Sequence, residues 1–157
     1  MSEARDRPAI QDRYPDEFSH CYGCGRLNEH GLGLKSYAEG EEVVATFVPG
    51  AHHVAVPGFV YGGLIASLID CHAMATAAHA YERAAGGRAP RFVTASLRVD
   101  YLRPTPLGVP LRIRGRAKDV AQRKVTVEVT VSADSTPTAR GEVVAVLLPD
   151  TMRSPVG

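Results

Sequence analysis

The sequence predicts an α+β domain in which one antiparallel β-sheet wraps around one long central α-helix. Three observations carry this. From Gly62 to about Arg83, apolar or small residues recur at helical spacing around most of the circumference. After Pro90, four segments alternate with period two. The links between those segments are short, which favours antiparallel neighbours.

The elements follow in chain order. Residues 1–20 are rich in charge and proline and read as a flexible N-terminal arm, leaving 21–157 as a single domain. Cys21-Tyr22-Gly23-Cys24-Gly25 and Gly31-Leu32-Gly33-Leu34-Lys35 read as turns before a strand at Val43–Val48, which Pro49-Gly50 stops. A loop from 51 to 61 precedes Gly62-Gly63, which opens the helix, and Gly86-Gly87 ends it. A helix apolar on most sides is normally buried. Val93, Ala95, Leu97, Val99 and Tyr101 alternate with Thr94, Ser96, Arg98 and Asp100. Leu111 to Lys118 and Lys124 to Val131 repeat the pattern. The last strand, about Ala139 to Leu148, is apolar on both faces from Val143 onward, so helix or partner must cover it twice.

The bulk numbers exclude several classes. With 157 residues, 45% hydrophobic and 22% charged, the chain suits one globular domain. A net charge of +1 recruits neither nucleic acid nor an anionic membrane. No apolar stretch is long enough to span a bilayer, and the polar first sixteen residues argue against a signal peptide. Three cysteines cannot all pair within the chain, so a cytoplasmic protein with reduced thiols is expected.

Asp70 stands out. It lies in the apolar helix, where a carboxylate is costly unless compensated. It is therefore either a site residue or a structural Asp satisfied by backbone donors or by His72. His72 is two residues away on another helix face and reads as a satisfied core histidine. His52 and His53 read as solvent-facing or as a pocket wall. Cys21 and Cys24 have metal-like spacing but no second Cys pair. His20 and His30 would complete only a non-standard set, so turn formation is the preferred reading and no metal site is expected. Cys71 reads as a small buried apolar residue. Arg112, Arg114, Arg116 and Lys118 line one strand face, which is normally solvated.

Three segments carry a resemblance: the two glycine-rich turns from Cys21 to Lys35; Pro57-Gly58-Phe59-Val60-Tyr61-Gly62-Gly63 running into Leu68-Ile69-Asp70; and Thr94-Ala95-Ser96-Leu97 through Asp100-Tyr101-Leu102-Arg103-Pro104-Thr105-Pro106. In order and spacing they resemble the hotdog-fold acyl-CoA thioesterases of the PaaI-like branch. The resemblance implies a hotdog fold, homodimers or homotetramers with active sites at the dimer interface, and hydrolysis of an acyl- or aryl-CoA to free acid and CoA. It implies no cofactor, coenzyme A being part of the substrate. It assigns the catalytic carboxylate to Asp70, an assisting hydroxyl to Thr94 and the thioester-oxygen donor to the Gly63 backbone N–H. The family's histidine before the glycine pair is Tyr61 here. Tyr61 and Gly62 are expected to shape the loop, Phe59 and Leu64 to wall the acyl pocket, and Arg103, with Arg98, Arg123 or the arginine row, to meet phosphates.

The chemistry fits those residue types. Thioester hydrolysis puts negative charge on the carbonyl oxygen, and a helix start offers free N–H groups and a positive dipole end. Gly63 and Asp70 are two helical turns apart, roughly 10 Å, too far to share one carbonyl in a single subunit. A site between two protomers resolves this. Two rivals remain: a non-catalytic acyl-CoA-binding hotdog protein, which the Tyr61 departure favours, and a hotdog enoyl-CoA hydratase or dehydratase using His52 or His53 with Asp70.

Overall fold

A computed structural model describes residues 7–153; residues 1–6 of the expected arm and the last four residues lie outside it. Six strands form one sheet: β1 (Tyr37–Glu39), β2 (Glu42–Phe47), β3 (Phe92–Tyr101), β4 (Leu111–Val120), β5 (Lys124–Ala133) and β6 (Thr136–Leu147). The order across the sheet is β1-β2-β4-β5-β6-β3, every pair antiparallel. The helix α1 (Gly62–Ala85) lies across one face and ends at Gly86, which has φ 77°. This is the hotdog architecture, as expected.

The helix-facing residues are those that the period-two pattern selects. Ile113, Val127, Val129, Val143 and Ala145 are fully buried against Leu68, Ile69, Ala73 and Ala77 of α1. Two strand glycines let the helix lie close. A Cβ at Gly115 would stand 2.2 Å from Thr76 Oγ1, and one at Gly141 would stand 2.4 Å from Ile69 Cγ2. The opposite sheet face is charged: Arg114 meets Glu39 and Glu42, and Lys118 meets Glu128 and Glu142. Arg116 also pairs with Glu128, so the arginine row is largely occupied by acids of its own chain.

His72 is a satisfied core histidine, as its position suggested. Its Nε2 donates to the Val43 carbonyl at 2.8 Å, which leaves Nδ1 to accept from the Ser36 hydroxyl at 2.9 Å. Gln11 closes the network, donating to Ser36 Oγ and accepting from the Ser36 N–H. All three residues are essentially inaccessible. Burial disfavours the charged imidazolium and lowers the His72 pKa to about 4, against the opposing pull of the Val43 carbonyl.

That network corrects one expectation. Residues 7–20, read as part of a loose arm, pack on the domain. Ile10 and Tyr14 are core residues, the Ile10 N–H bonds the Ser36 carbonyl at 2.9 Å, and Arg13 pairs with Glu82 at 3.3 Å. Charge and proline disguised a segment whose apolar side chains are few but deeply placed. A second difference is β1, a three-residue strand too short to show alternation, joined to β2 by a turn at Gly40.

Candidate active site

The start of α1 is held from both sides. Its preceding loop pairs with the Pro104-Thr105-Pro106 segment: Val60 N–H to the Thr105 carbonyl at 2.8 Å, and Leu107 N–H to the Gly58 carbonyl at 2.9 Å. Tyr101 Oη donates to the Gly62 carbonyl at 2.6 Å. Burial, then the neighbouring Tyr61, raises the Tyr101 pKa. No side chain caps the helix, and Leu64 is the first residue whose N–H bonds back to Tyr61. The Gly62 and Gly63 N–H groups thus remain available at the positive end of the helix dipole. The Tyr61 ring folds over Gly63, where a Cβ would stand 2.4 Å from Tyr61 Cε1.

Asp70 is half-buried and accepts a hydrogen bond from the Thr94 hydroxyl. The sequence pattern placed Thr94 on the face opposite Leu97 and Tyr101; the structure places it on the same face. A β-bulge between Thr94 and Ser96 resets the register against β6. Thr94 pairs with Ala145, and Leu97 with Val143, both buried under the helix. The bulge therefore aims the hydroxyl at the helix, a recurrent use of bulges. His72 is not a partner of Asp70, since both its nitrogens are occupied.

The remaining site candidates divide between two grooves flanking the helix start. Tyr61, Gly63 and Leu64 line one, together with Tyr22, His52 and His53. Phe59, Gly62 and Arg103 line the other, a cleft of about 530 Å³ that Tyr101 completes. Asp70 and Thr94 line neither, and Asp70 stands seven residues along α1 from Gly63, about 10 Å of helix rise. His53 accepts the Gly50 N–H at 2.9 Å and lies tilted against His52, with ring centroids 4.0 Å apart. Burial and His52 lower its pKa. The groove that His52 and His53 line does not include Asp70.

Two features escaped the sequence reading. Tyr101, which the sequence places on a strand face and in the third resembling segment, also braces the helix start; its position two residues before Arg103 is the available signal. The other is that Cys71 meets Cys21 and Cys24 rather than serving as an apolar filler. All three sulfurs lie within 4.8 Å of one another. Hydrogen bonds from Cys24 and Cys71 hold the Cys21 thiol far below its ordinary range; the same contacts push Cys24 up to about 11 and Cys71 up as well.

β3 is a free sheet edge. From Thr94 to Arg98 it is exposed throughout. Val56, Phe59, Tyr61, Tyr101 and Leu102 are exposed beside it. Exposed apolar side chains thus gather around one free sheet edge.

Known proteins share this fold. The profile of the Thioesterase superfamily matches residues 57–140, which include the helix start, Asp70 and Thr94. Among curated proteins, acyl-coenzyme A thioesterase THEM4 of Xenopus laevis is 35% identical over 103 residues, covering 63% of this chain and 43% of that protein. THEM4 of Rattus norvegicus is 29% identical over 127 residues, 78% of this chain and 51% of that one. The chain thus spans about half the length of these relatives. A thioesterase superfamily protein of known structure from Shewanella loihica is 50% identical, with TM-score 0.68 over 87% of this chain and all of that one. The Escherichia coli PaaI protein of the phenylacetic acid degradation operon shares the fold at 16% identity, TM-score 0.63, over 75% of this chain and 81% of that one. The chain belongs to the Thioesterase superfamily and has its hotdog fold.

Proposed function

We propose that this protein is an acyl-CoA thioesterase whose active site forms between two protomers, with Asp70 of one chain facing the Gly63 N–H of its mate. The observation that carries this reading is the Thr94–Asp70 pair, presented at a free sheet edge away from the same chain's helix start. A partner placed against β3 would cover the exposed apolar residues there and supply a second helix start. The acyl carbonyl oxygen would rest on the uncapped N–H groups. Asp70 would activate water or attack the carbonyl carbon, and Thr94 would orient the carboxylate or the water. Hydrolysis adds water across the thioester and releases acid and CoA thiol, so it needs no redox cofactor.

Phe59, Leu64 and the aromatic edge suit an acyl or aryl group, while Arg103 suits a phosphate at the cleft mouth. Free thiols and the absence, among the described residues, of a helix able to cross a membrane accord with a cytoplasmic home. Another solved structure of this fold, from Streptococcus mutans, is described as bound to acetyl CoA.

The Tyr61 ring over Gly63 favours one second reading, retention of acyl-CoA without turnover. A thiol-release screen over short, long and aromatic CoA esters separates the two. Turnover lost on Asp70→Asn supports the hydrolase. Tight binding with every ester intact supports the binder, and water addition to an enoyl-CoA without thiol release supports a hydratase.

A further inference from the structure

We propose that Cys21, Cys24 and Cys71 form a structural metal site for a thiolate-seeking cation of the Zn²⁺ class, pinning the 21–34 loop to the central helix. This is independent of the thioester chemistry and replaces the turn-only reading of the Cys21–Cys24 pair.

The spacing is that of a thiolate site. With Zn–S bonds of about 2.3 Å in tetrahedral array, ligand sulfurs stand about 3.8 Å apart. The Cys21 and Cys71 sulfurs are 3.7 Å apart, unbonded, and Cys24 lies within the same 4.8 Å cluster. The loop around them is shaped for that purpose. The Gly25 N–H bonds the Cys21 carbonyl at 2.8 Å and closes the turn between the two cysteines. A Cβ at Gly23 would stand 2.3 Å from Cys71 Sγ, and one at Gly25 would strike the Cys21 and Ser19 backbone. Only glycine lets this backbone wrap the sulfurs so closely. Cys24 and Cys71 are buried, whereas half-exposed Cys21 leaves a way in for the ion.

A second observation points to a ligand. Tyr14 Oη is the one buried side-chain polar atom among the described residues with no hydrogen-bond partner. Tyr14 belongs to the same buried core as Cys24 and Cys71. An orphaned buried hydroxyl is costly. Three thiolates leave one position of a tetrahedron open, to be filled by a bound water or by the Tyr14 hydroxyl. Three thiolates on a divalent ion carry one net negative charge, and Arg91, stacked 5.2 Å from the Tyr14 ring centroid, offsets it. Binding releases the thiol protons to buffer. The loop so fixed carries Tyr22 and Leu32 to the groove wall beside Gly63.

The test uses the full chain, reduced and stripped with a chelator under anaerobic conditions. Titrated Co²⁺ is expected to give thiolate-to-metal charge-transfer absorption saturating at one ion per chain, which Zn²⁺ then displaces. Zn²⁺ should raise the melting temperature and protect all three thiols from alkylation. Cys21→Ser, Cys24→Ser and Cys71→Ser should each weaken Zn²⁺ binding on the order of a hundredfold, while His30→Ala retains one ion. The proposal is overturned if the wild-type chain gives no charge-transfer band and its thiols stay equally reactive with Zn²⁺ present. It is equally overturned if air oxidation consumes two thiols in a disulfide and the reduced protein takes up no metal.

Discussion

Thr94 reaches Asp70 only because β3 bulges between Thr94 and Ser96, turning the threonine hydroxyl toward the helix instead of the outer sheet face. Thr94→Val should therefore lower turnover about tenfold to a hundredfold, while Thr94→Ser preserves most of it, because the donated hydrogen bond survives. Asp70→Asn should cost more, on the order of 10²- to 10⁴-fold in kcat, with an unchanged fold by circular dichroism. Equal effects of Thr94→Val and Thr94→Ser on thiol release would contradict the hydrogen-bond role.

Gly63→Ala sets a methyl group against the Tyr61 ring. The ring or the helix start must shift, so both melting temperature and kcat should fall. Adding Tyr61→Ala should recover the melting temperature, because the clash partner is gone. Thermal melts of the single and double variants check this, and additive losses would contradict the packing described.

Tyr101→Phe removes the hydroxyl that holds the Gly62 carbonyl. The stability loss should stay within about 1 kcal/mol, as for an ordinary hydrogen bond at an exposed site. Turnover should fall several-fold, since the helix start loses a brace. Steady-state kinetics identical to wild type would show that the helix start is held without it.

Stability should depend on pH through His72. Its folded pKa is about 4 against an ordinary 6.5. Between these values the unfolded chain binds more protons, so unfolding free energy falls as pH drops from 6.5 toward 4 and levels off below. The loss over this window is roughly 3 kcal/mol. Urea unfolding from pH 7.5 to 4 measures it. His72→Asn should be less stable throughout but flatter in this window, and a wild-type curve parallel to the variant's would contradict the assignment.

Ile10 tests the N-terminal segment. It is 1% exposed, so Ile10→Ala should cost about 2–5 kcal/mol in urea unfolding. An exposed arm would show no such loss.

The elements written in long periodic stretches were legible in the sequence. Helix α1 and strands β3 to β6 appear close to their expected bounds, because burying one face requires regular spacing over many residues. Features depending on one residue or one long-range contact were not. The bulge inverts the face of Thr94 without disturbing the alternation around it. Ile10 and Tyr14 sit among charges and prolines, yet their partners lie across the fold. Cys71 meets a loop some fifty residues earlier, and no local pattern announces such a meeting. Within the candidate site, the residue types of Gly63, Asp70 and Thr94 were readable, whereas the brace from Tyr101 and the Tyr61 ring over Gly63 required coordinates.

The shared site is tested most directly by complementation. Asp70→Ala and Gly63→Val chains, each inactive alone, are co-expressed with different tags and assayed for CoA release. In a mixed dimer one of the two sites pairs an intact Asp70 with an intact Gly63. With random assortment, activity should return to about a quarter of wild type. A mixture no more active than either parent, with mixed dimers shown to be present, would contradict a site built from two chains.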